Sequence, residues 1–284
     1  MQLQDDRRLK IGELPDLKIV PIDHILFHEE PDDERSSSLM VYLQKEGRLK
    51  NPPIVGSYNG SKKIILLDGA NRVTALRKLN IKDVLVQLIN MFDDDLLLLH
   101  WHHAVEKFSK TEFLDKLYSI PRITIEKEES DTLVLTDNGD LLSKIQFHNG
   151  QIYRVTAEED LFSKVKLLKE ITDIYKGFSF MDRVSYTNLT HLRQHYPDFC
   201  ALVCFKKISK ENLIAVVEKN IYLPSGITRV ILPKRALRLN VPLDILRFDA
   251  PVEEKNHWLQ ERITLQVQDK SIRFYYEPTF LFDE

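Results

Sequence analysis

Lys62-Lys63-Ile64-Ile65-Leu66-Leu67-Asp68-Gly69-Ala70-Asn71-Arg72-Val73-Thr74-Ala75-Leu76-Arg77-Lys78-Leu79 decides how the chain is read. An apolar run of strand type meets Asp-Gly, and a helical pattern opens at once. Val73, Leu76 and Leu79 recur at threes, which marks the helix face turned to the core. Gly69 lets the backbone approach a ligand closely. A helix start offers unpaired N–H groups and the positive end of a dipole, so the junction can hold a phosphate. Arg72 adds a forked cation in the first turn. Asp68 stands where an N-cap belongs and can also face a metal or a hydroxyl. The bland alternative is a capped helix with a surface arginine.

Outward from this junction the chain reads as α+β in two parts. Leu17 to Ile22 alternates as a half-buried strand does. Glu29 to Ser38 is acidic and serine-rich and reads as a loop or helix entry. Ser38 is placed to cap a helix from Leu39 to Glu46, closed by Gly47. Ile54 to Tyr58 and Lys62 to Leu67 form a hairpin around Asn59-Gly60. Val84 to Leu88 returns as a strand, and Asp93-Asp94-Asp95 marks a boundary. The division expected is residues 1–92 and residues 93–284.

In the second part, Leu96 to Val105 is read as helix. Ile123 to Ile125, Thr132 to Leu135, Ser143 to Phe147 and Ile152 to Val155 read as strands, with turns at Asn138-Gly139 and Asn149-Gly150. A helix from Glu158 to Tyr175, a strand from Ala201 to Phe205 and a Ser209-capped helix to Glu218 follow. Leu223 to Leu246 holds strand-like pieces between prolines. A helix over Asp249 to Asp269 and a strand over Ile272 to Tyr276 complete the reading. Residues 1 to 16 read as a polar lead-in.

Composition is that of a globular protein large enough for a core without staples: 284 residues, 43% hydrophobic and 29% charged, net charge −3. That balance gives no general pull toward nucleic acid or anionic membrane. With no signal-peptide core and no apolar run of spanning length, a cytoplasmic location is expected. The two cysteines, Cys200 and Cys204, read as buried free thiols.

Asp-Gly-x-x-Arg-x-x-Ala-Leu between strand and helix resembles the nucleotide-binding motif of the ParB/sulfiredoxin superfamily. Within it the chain resembles the free L-serine kinases, most of all the siderophore-precursor (staphyloferrin B type) branch. Leu17 to Asp23 leading to Phe27-His28-Glu29, then Trp101-His102-His103, Pro224 to Arg229 and Val241-Pro242-Leu243 carry the likeness. The resemblance implies a ParB/sulfiredoxin-like N-terminal nucleotide-binding domain with a second mixed α/β domain for substrate binding and dimerisation. It implies ATP or ADP as phosphoryl donor, magnesium, free L-serine as substrate, O-phospho-L-serine as product and a homodimer.

The same resemblance assigns residues. Glu29 and Asp68 are the catalytic candidates, Glu29 as the base that takes the hydroxyl proton. Gly69, Ala70, Asn71, Arg72 and His28 are the nucleotide and phosphate candidates, His28 alternatively orienting Glu29. Trp101, His103, Thr228 and Arg229 are the substrate candidates, Arg229 as the bidentate partner of a carboxylate. Asp68 is the magnesium candidate. Asn71 departs from the family, whose kinases usually carry a histidine before the arginine. A ParB-like nucleotide-binding regulator is the competing reading, against which no helix-turn-helix pattern follows the first part. Sulfiredoxin chemistry needs a cysteine beside the phosphate loop, where this chain has Ala70.

Overall fold

The computed structural model describes residues 14–130, 132–135, 139–177 and 180–275. Its elements begin with β1 (Asp16–Pro21), a 3-10 turn, β2 (Ile25–Phe27), α1 (Asp33–Glu46), β3 (Arg48–Leu49), β4 (Ile54–Ser57), β5 (Ile64–Asp68), α2 (Ala70–Lys78) and β6 (Asp83–Asn90). Five of these strands form one mixed sheet in the order β1-β6-β4-β5-β2. The β4–β5 hairpin turns at Asn59-Gly60 with φ of +48° and +65°, as the dipeptide predicts. Alternation along β5 serves two cores. Ile64 and Leu66 join the cluster under α2, whereas Ile65 and Leu67 join the one on the opposite face.

The chain continues with β7 (Leu97–His100), β8 (His102–Glu106), α3 (Lys110–Tyr118), β9 (Thr124–Lys127), β10 (Leu141–Phe147), β11 (Ile152–Thr156), α4 (Leu161–Asp173), β12 (Phe180–Val184), α5 (Leu189–His195), β13 (Phe199–Phe205) and α6 (Lys210–Glu218). It ends with β14 (Thr228–Ile231), β15 (Val241–Pro242), α7 (Leu243–Arg247) and α8 (Val252–Gln268). A second, antiparallel sheet runs β12-β8-β13-β10-β11-β9, and two ribbons pair β14 with β7 and β15 with β3. The class is mixed α+β. Among the described residues no helix is long and apolar enough to cross a membrane.

Several expectations are corrected. Leu96 to Val105 is two strands broken at Trp101, not a helix. Four leucines in a row fit either period, and the waiting partners β14, β12 and β13 decide it. Helix α1 starts six residues before Leu39, capped by Asp32, whose carboxylate accepts from Arg35 N at 3.0 Å. Acidic residues that read as loop or helix entry are favoured in a first helical turn. Helices α3 and α5, capped by Ser109 and Asn188, were not anticipated. Residues 132–135 and 272–275 carry no strand. Residues 1–13, Asn138 and Tyr276 lie outside the described residues. Cys200 and Cys204 are buried free thiols, and burial pushes both up, Cys200 to about 11.

The cores do not divide at residue 92. Val241, Leu243, Leu246, Leu259 and Ile263 return to the first sheet and pack with Leu17, Ile19, Val84 and Leu85. Each such side chain contributes about 1.5–3 kcal/mol on burial. Asn256 on α8 completes β1, accepting from Ile19 N at 2.9 Å and donating to Ile19 O at 2.8 Å. Lys255 and Asp83 pair at 2.5 Å with almost no exposure. On the sheet's other face, Val165 of α4 and Leu213, Val216 and Val217 of α6 meet Ile54, Ile65 and Leu67. The second part thus clasps the first from both sides.

Candidate active site

Strand β2 ends at Phe27, and the next two residues cross to the second part. Leu223 N donates to His28 O at 2.7 Å, and Glu30 N donates to Leu223 O at 3.1 Å. This short ladder aims the Glu29 side chain at the turn before β14. There its Oε1 accepts from Ile227 N (3.1 Å), Thr228 N (2.6 Å) and Thr228 Oγ1 (2.5 Å), and its Oε2 accepts from Gly226 N (2.8 Å). A carboxylate has about four lone-pair sites, so Oε2 keeps one unused. The Glu29 side chain is 13% exposed. Gly226 has φ of +81°, and a Cβ there would run into the Arg183 guanidinium.

His28 is buried, with Nδ1 on the Leu66 carbonyl and Nε2 2.6 Å from Thr228 Oγ1. Both ring nitrogens are thus engaged, and Thr228 links the ring to Glu29. His103 is engaged on both ring nitrogens as well. It is fully buried, with Nε2 3.0 Å from Gly226 O and Nδ1 2.7 Å from the Tyr175 hydroxyl. A carbonyl only accepts, so Nε2 carries the proton and Nδ1 accepts from Tyr175. Burial pushes His103 down to about 4 against the opposing pull of the Gly226 carbonyl, with Arg183 and Lys176 adding to the fall. It supports the turn that grips Glu29. His100 is also pushed down to about 4, by burial first. Among the described residues no group of three metal-ligating side chains occurs.

At the strand–helix junction, Gly69 is itself the N-cap of α2, with φ of +99°, and no side chain caps the first turn. Asp68 therefore is not the cap. A Cβ on Gly69 would come within 3.1 Å of Pro53 Cβ. Pro53 and Arg72 therefore pack so closely over the helix start that a glycine is needed there. Asp68 ends β5 with its Oδ2 on Arg72 (3.2 Å) and on Arg235. Burial pushes this carboxyl up, but the two arginines outweigh it and hold it below the usual aspartate value. Arg72 turns its fork inward, to Asn51 O at 3.0 Å, Pro52 O at 3.3 Å and Asp68. With these partners it braces the loop at Asn51 to Pro53 that faces Gly69. Asn71 Oδ1 accepts from Asp32 N at 3.0 Å, tying the helix start to the loop that bears Glu29. Ala70 packs half-buried against the first core.

Trp101, Thr228 and Arg229 do come together. Trp101 N donates to Ile227 O at 2.7 Å, and the Arg229 guanidinium lies 4.6 Å over the Trp101 ring. Among the described residues no carboxylate or carbonyl pairs with Arg229, so its edge is open to a ligand. Thr228 turns its hydroxyl to Glu29 and His28, away from Arg229's side of the strand. The sequence carries no sign of Lys169 and Lys176, offers Gly226 only as part of a turn, and shows Arg235 only within a basic stretch that reads as a solvated face. Lys169 pairs with Glu30 at 2.9 Å, and burial holds Lys176 below the ordinary lysine value while Glu30, Asp173 and Glu29 pull it up. The Pro-Ser-Gly turn was the one available signal for Gly226.

No family model matches the chain. The chain is 25% identical over 268 residues to the ATP-dependent L-serine kinase SbnI of Staphylococcus aureus, covering 94% of this chain and 97% of that protein. It is 28% identical over 239 residues to an ATP-dependent L-serine kinase of Staphylothermus marinus, covering 81% and 90%. Among solved structures, C-terminally truncated SbnI from Staphylococcus aureus superposes with a TM-score of 0.70 at 23% identity, over 90% of this chain and 97% of that one. A free serine kinase in complex with AMP superposes with a TM-score of 0.68 at 16% identity, over 86% and 98%. These likenesses establish the shared fold.

Proposed function

We propose that this protein is an ATP-dependent kinase of free L-serine, with a first domain of ParB/sulfiredoxin type, and that it makes O-phospho-L-serine. One observation carries the reading. A carboxylate with one unused lone pair is tied to the strand–helix junction through Asn71, which accepts from Asp32 N, and through His28, which meets Leu66 O. Phosphoryl transfer asks for little more than a proton acceptor and a cradle for charge. Relatives named L-serine kinases, matched over most of their length, support the substrate class.

In this reading the serine hydroxyl gives its proton to Glu29 Oε2 as its oxygen bonds to the terminal phosphorus. The bridging P–O bond breaks, and the nucleoside di- or monophosphate leaves with the electron pair, according to whether ATP or ADP is the donor. The N–H groups of Ala70, Asn71 and Arg72 hold the phosphates. Arg229, backed by Trp101, takes the substrate carboxylate. Asp68 does not fit as a magnesium ligand, because Arg72 and Arg235 already neutralise it. No step is assigned to a metal there. The test is incubation with L-serine and ATP or ADP, with phosphorus NMR as the readout. O-phosphoserine from either donor supports the reading. Its absence with both overturns it in favour of a nucleotide-binding regulator.

A further inference from the structure

We propose that His28 is a positioning residue that sets the basicity of Glu29 through the single hydroxyl proton of Thr228; this rests on Glu29 being the base. Thr228 Oγ1 lies 2.6 Å from His28 Nε2 and 2.5 Å from Glu29 Oε1. The other ring nitrogen, Nδ1, meets the Leu66 carbonyl, which can only accept. Nδ1 therefore carries a proton in every state.

The row from Leu66 O through His28 and Thr228 to Glu29 has three contacts and needs three protons. A neutral imidazole and one hydroxyl supply two. With the ring neutral, Nε2 is a bare lone pair that competes with Oε1 for the Thr228 proton. Glu29 Oε1 then shares that donor and is the stronger base. With the ring protonated, Nε2–H donates to Oγ1 and the hydroxyl is left wholly to Oε1. Glu29 then has that donor to itself and a cationic ring 3.9 Å away, and is the weaker base. One rotor thus reports the charge of His28 to the reacting carboxylate.

Other charges facing the row come from neighbouring elements. Lys176 faces Glu29 from beyond α4, and Glu30 pairs with Lys169 on α4. His100 on β7 is the register partner of Thr228 and is held neutral by burial. None of these is altered in the variants below.

The test is the pH dependence of kcat at saturating serine and nucleotide. Wild type falls on the acid side in two steps, a partial one as the ring is protonated and a full one as Glu29 is, and His28→Gln and Thr228→Val fall in one. Thr228→Ser keeps the hydroxyl and restores the wild-type profile. A His28 that only holds the fold would lower kcat at every pH with the shape of the profile unchanged, and that result overturns the proposal. Nitrogen NMR of the His28 ring is the readout that does not depend on turnover. The neutral ring should be the Nδ1–H tautomer, and its titration should move in Glu29→Gln and Thr228→Val. An Nε2–H tautomer, or a titration indifferent to both changes, overturns the proposal even in an active enzyme. A wild type that makes no phosphoserine, yet shows the coupled titration, fails the kinase reading alone.

Discussion

Glu29 Oε1 lies 2.6 Å from the backbone nitrogen of Thr228, although 199 residues separate the two in the chain. The same carboxylate that would receive a proton also pins the turn that opens β14. Chemistry and architecture therefore meet in one side chain, and its substitutions should move both.

Glu29→Gln keeps the size but replaces one acceptor oxygen by a donor, opposite backbone N–H groups. Phosphoserine formation should fall by about 10²-fold or more, as for loss of a general base. AMP affinity by calorimetry should stay within about twofold, since the helix start is untouched. Turnover near wild type would move the proton acceptor elsewhere, Glu30 first.

Gly69→Ala forces an L side chain into φ of +99° against Pro53. Strain of about 1–3 kcal/mol should appear as a lower melting temperature. Nucleotide affinity should fall with it, because the methyl group displaces Pro53 or Arg72 and with them the geometry of the helix start. Equal melting temperatures and affinities would show that the junction is not a cradle.

Arg229→Lys keeps the charge and loses the fork and much of the contact over Trp101. The serine KM should rise while nucleotide affinity holds. Serine amide, which lacks the carboxylate, should be a poor substrate for wild type and discriminate little between wild type and variant. Equal handling of serine and serine amide by wild type would place the carboxylate elsewhere.

Lys255→Met strands Asp83 in the interface between α8 and the first sheet. Removing one partner of a buried pair costs about 3–5 kcal/mol, whereas removing both is far milder. Denaturant unfolding of Lys255→Met, Asp83→Asn and the double variant should show that inequality. Additive losses would mean that the pair is not coupled.

His100 and His103 should make stability depend on pH. Both are pushed down to about 4 by burial, below the ordinary histidine value of about 6.5 in the unfolded chain. Between those values the unfolded chain binds more protons, so stability rises with pH through that window and is fully present above it. From about pH 7 to about pH 5 each histidine should remove about 2 kcal/mol. Unfolding midpoints at the two pH values, with His103→Gln as control, test this.

What could be read beforehand was local. The Asp-Gly junction, the Asn59-Gly60 hairpin and the Ser209 cap follow from short-range chemistry, and all are present. Glu29 stood out through resemblance, yet its four donors could not, because Gly226 to Thr228 are nearly 200 positions away. Burial decided the rest. His103 reads as a ligand in Trp-His-His, but a β-strand turns it inward to Gly226 O and Tyr175. Arg72 reads as a phosphate fork, but Asn51 and Pro52 offer it carbonyls from a loop that the motif does not contain. The four leucines were misread because helix and strand differ there only by which partners arrive.

The return of α8 onto β1 also sets an order for synthesis on the ribosome. Residues 16–90, which carry the whole first sheet, are made well before Val252–Gln268. At about 5–20 residues per second that interval lasts on the order of ten seconds or more. Throughout it the nascent sheet lacks the Asn256 bonds to Ile19 and the apolar cover of Leu259 and Ile263. This sheet emerges well before the helix that completes it, so it is a stretch on which a chaperone has long to act.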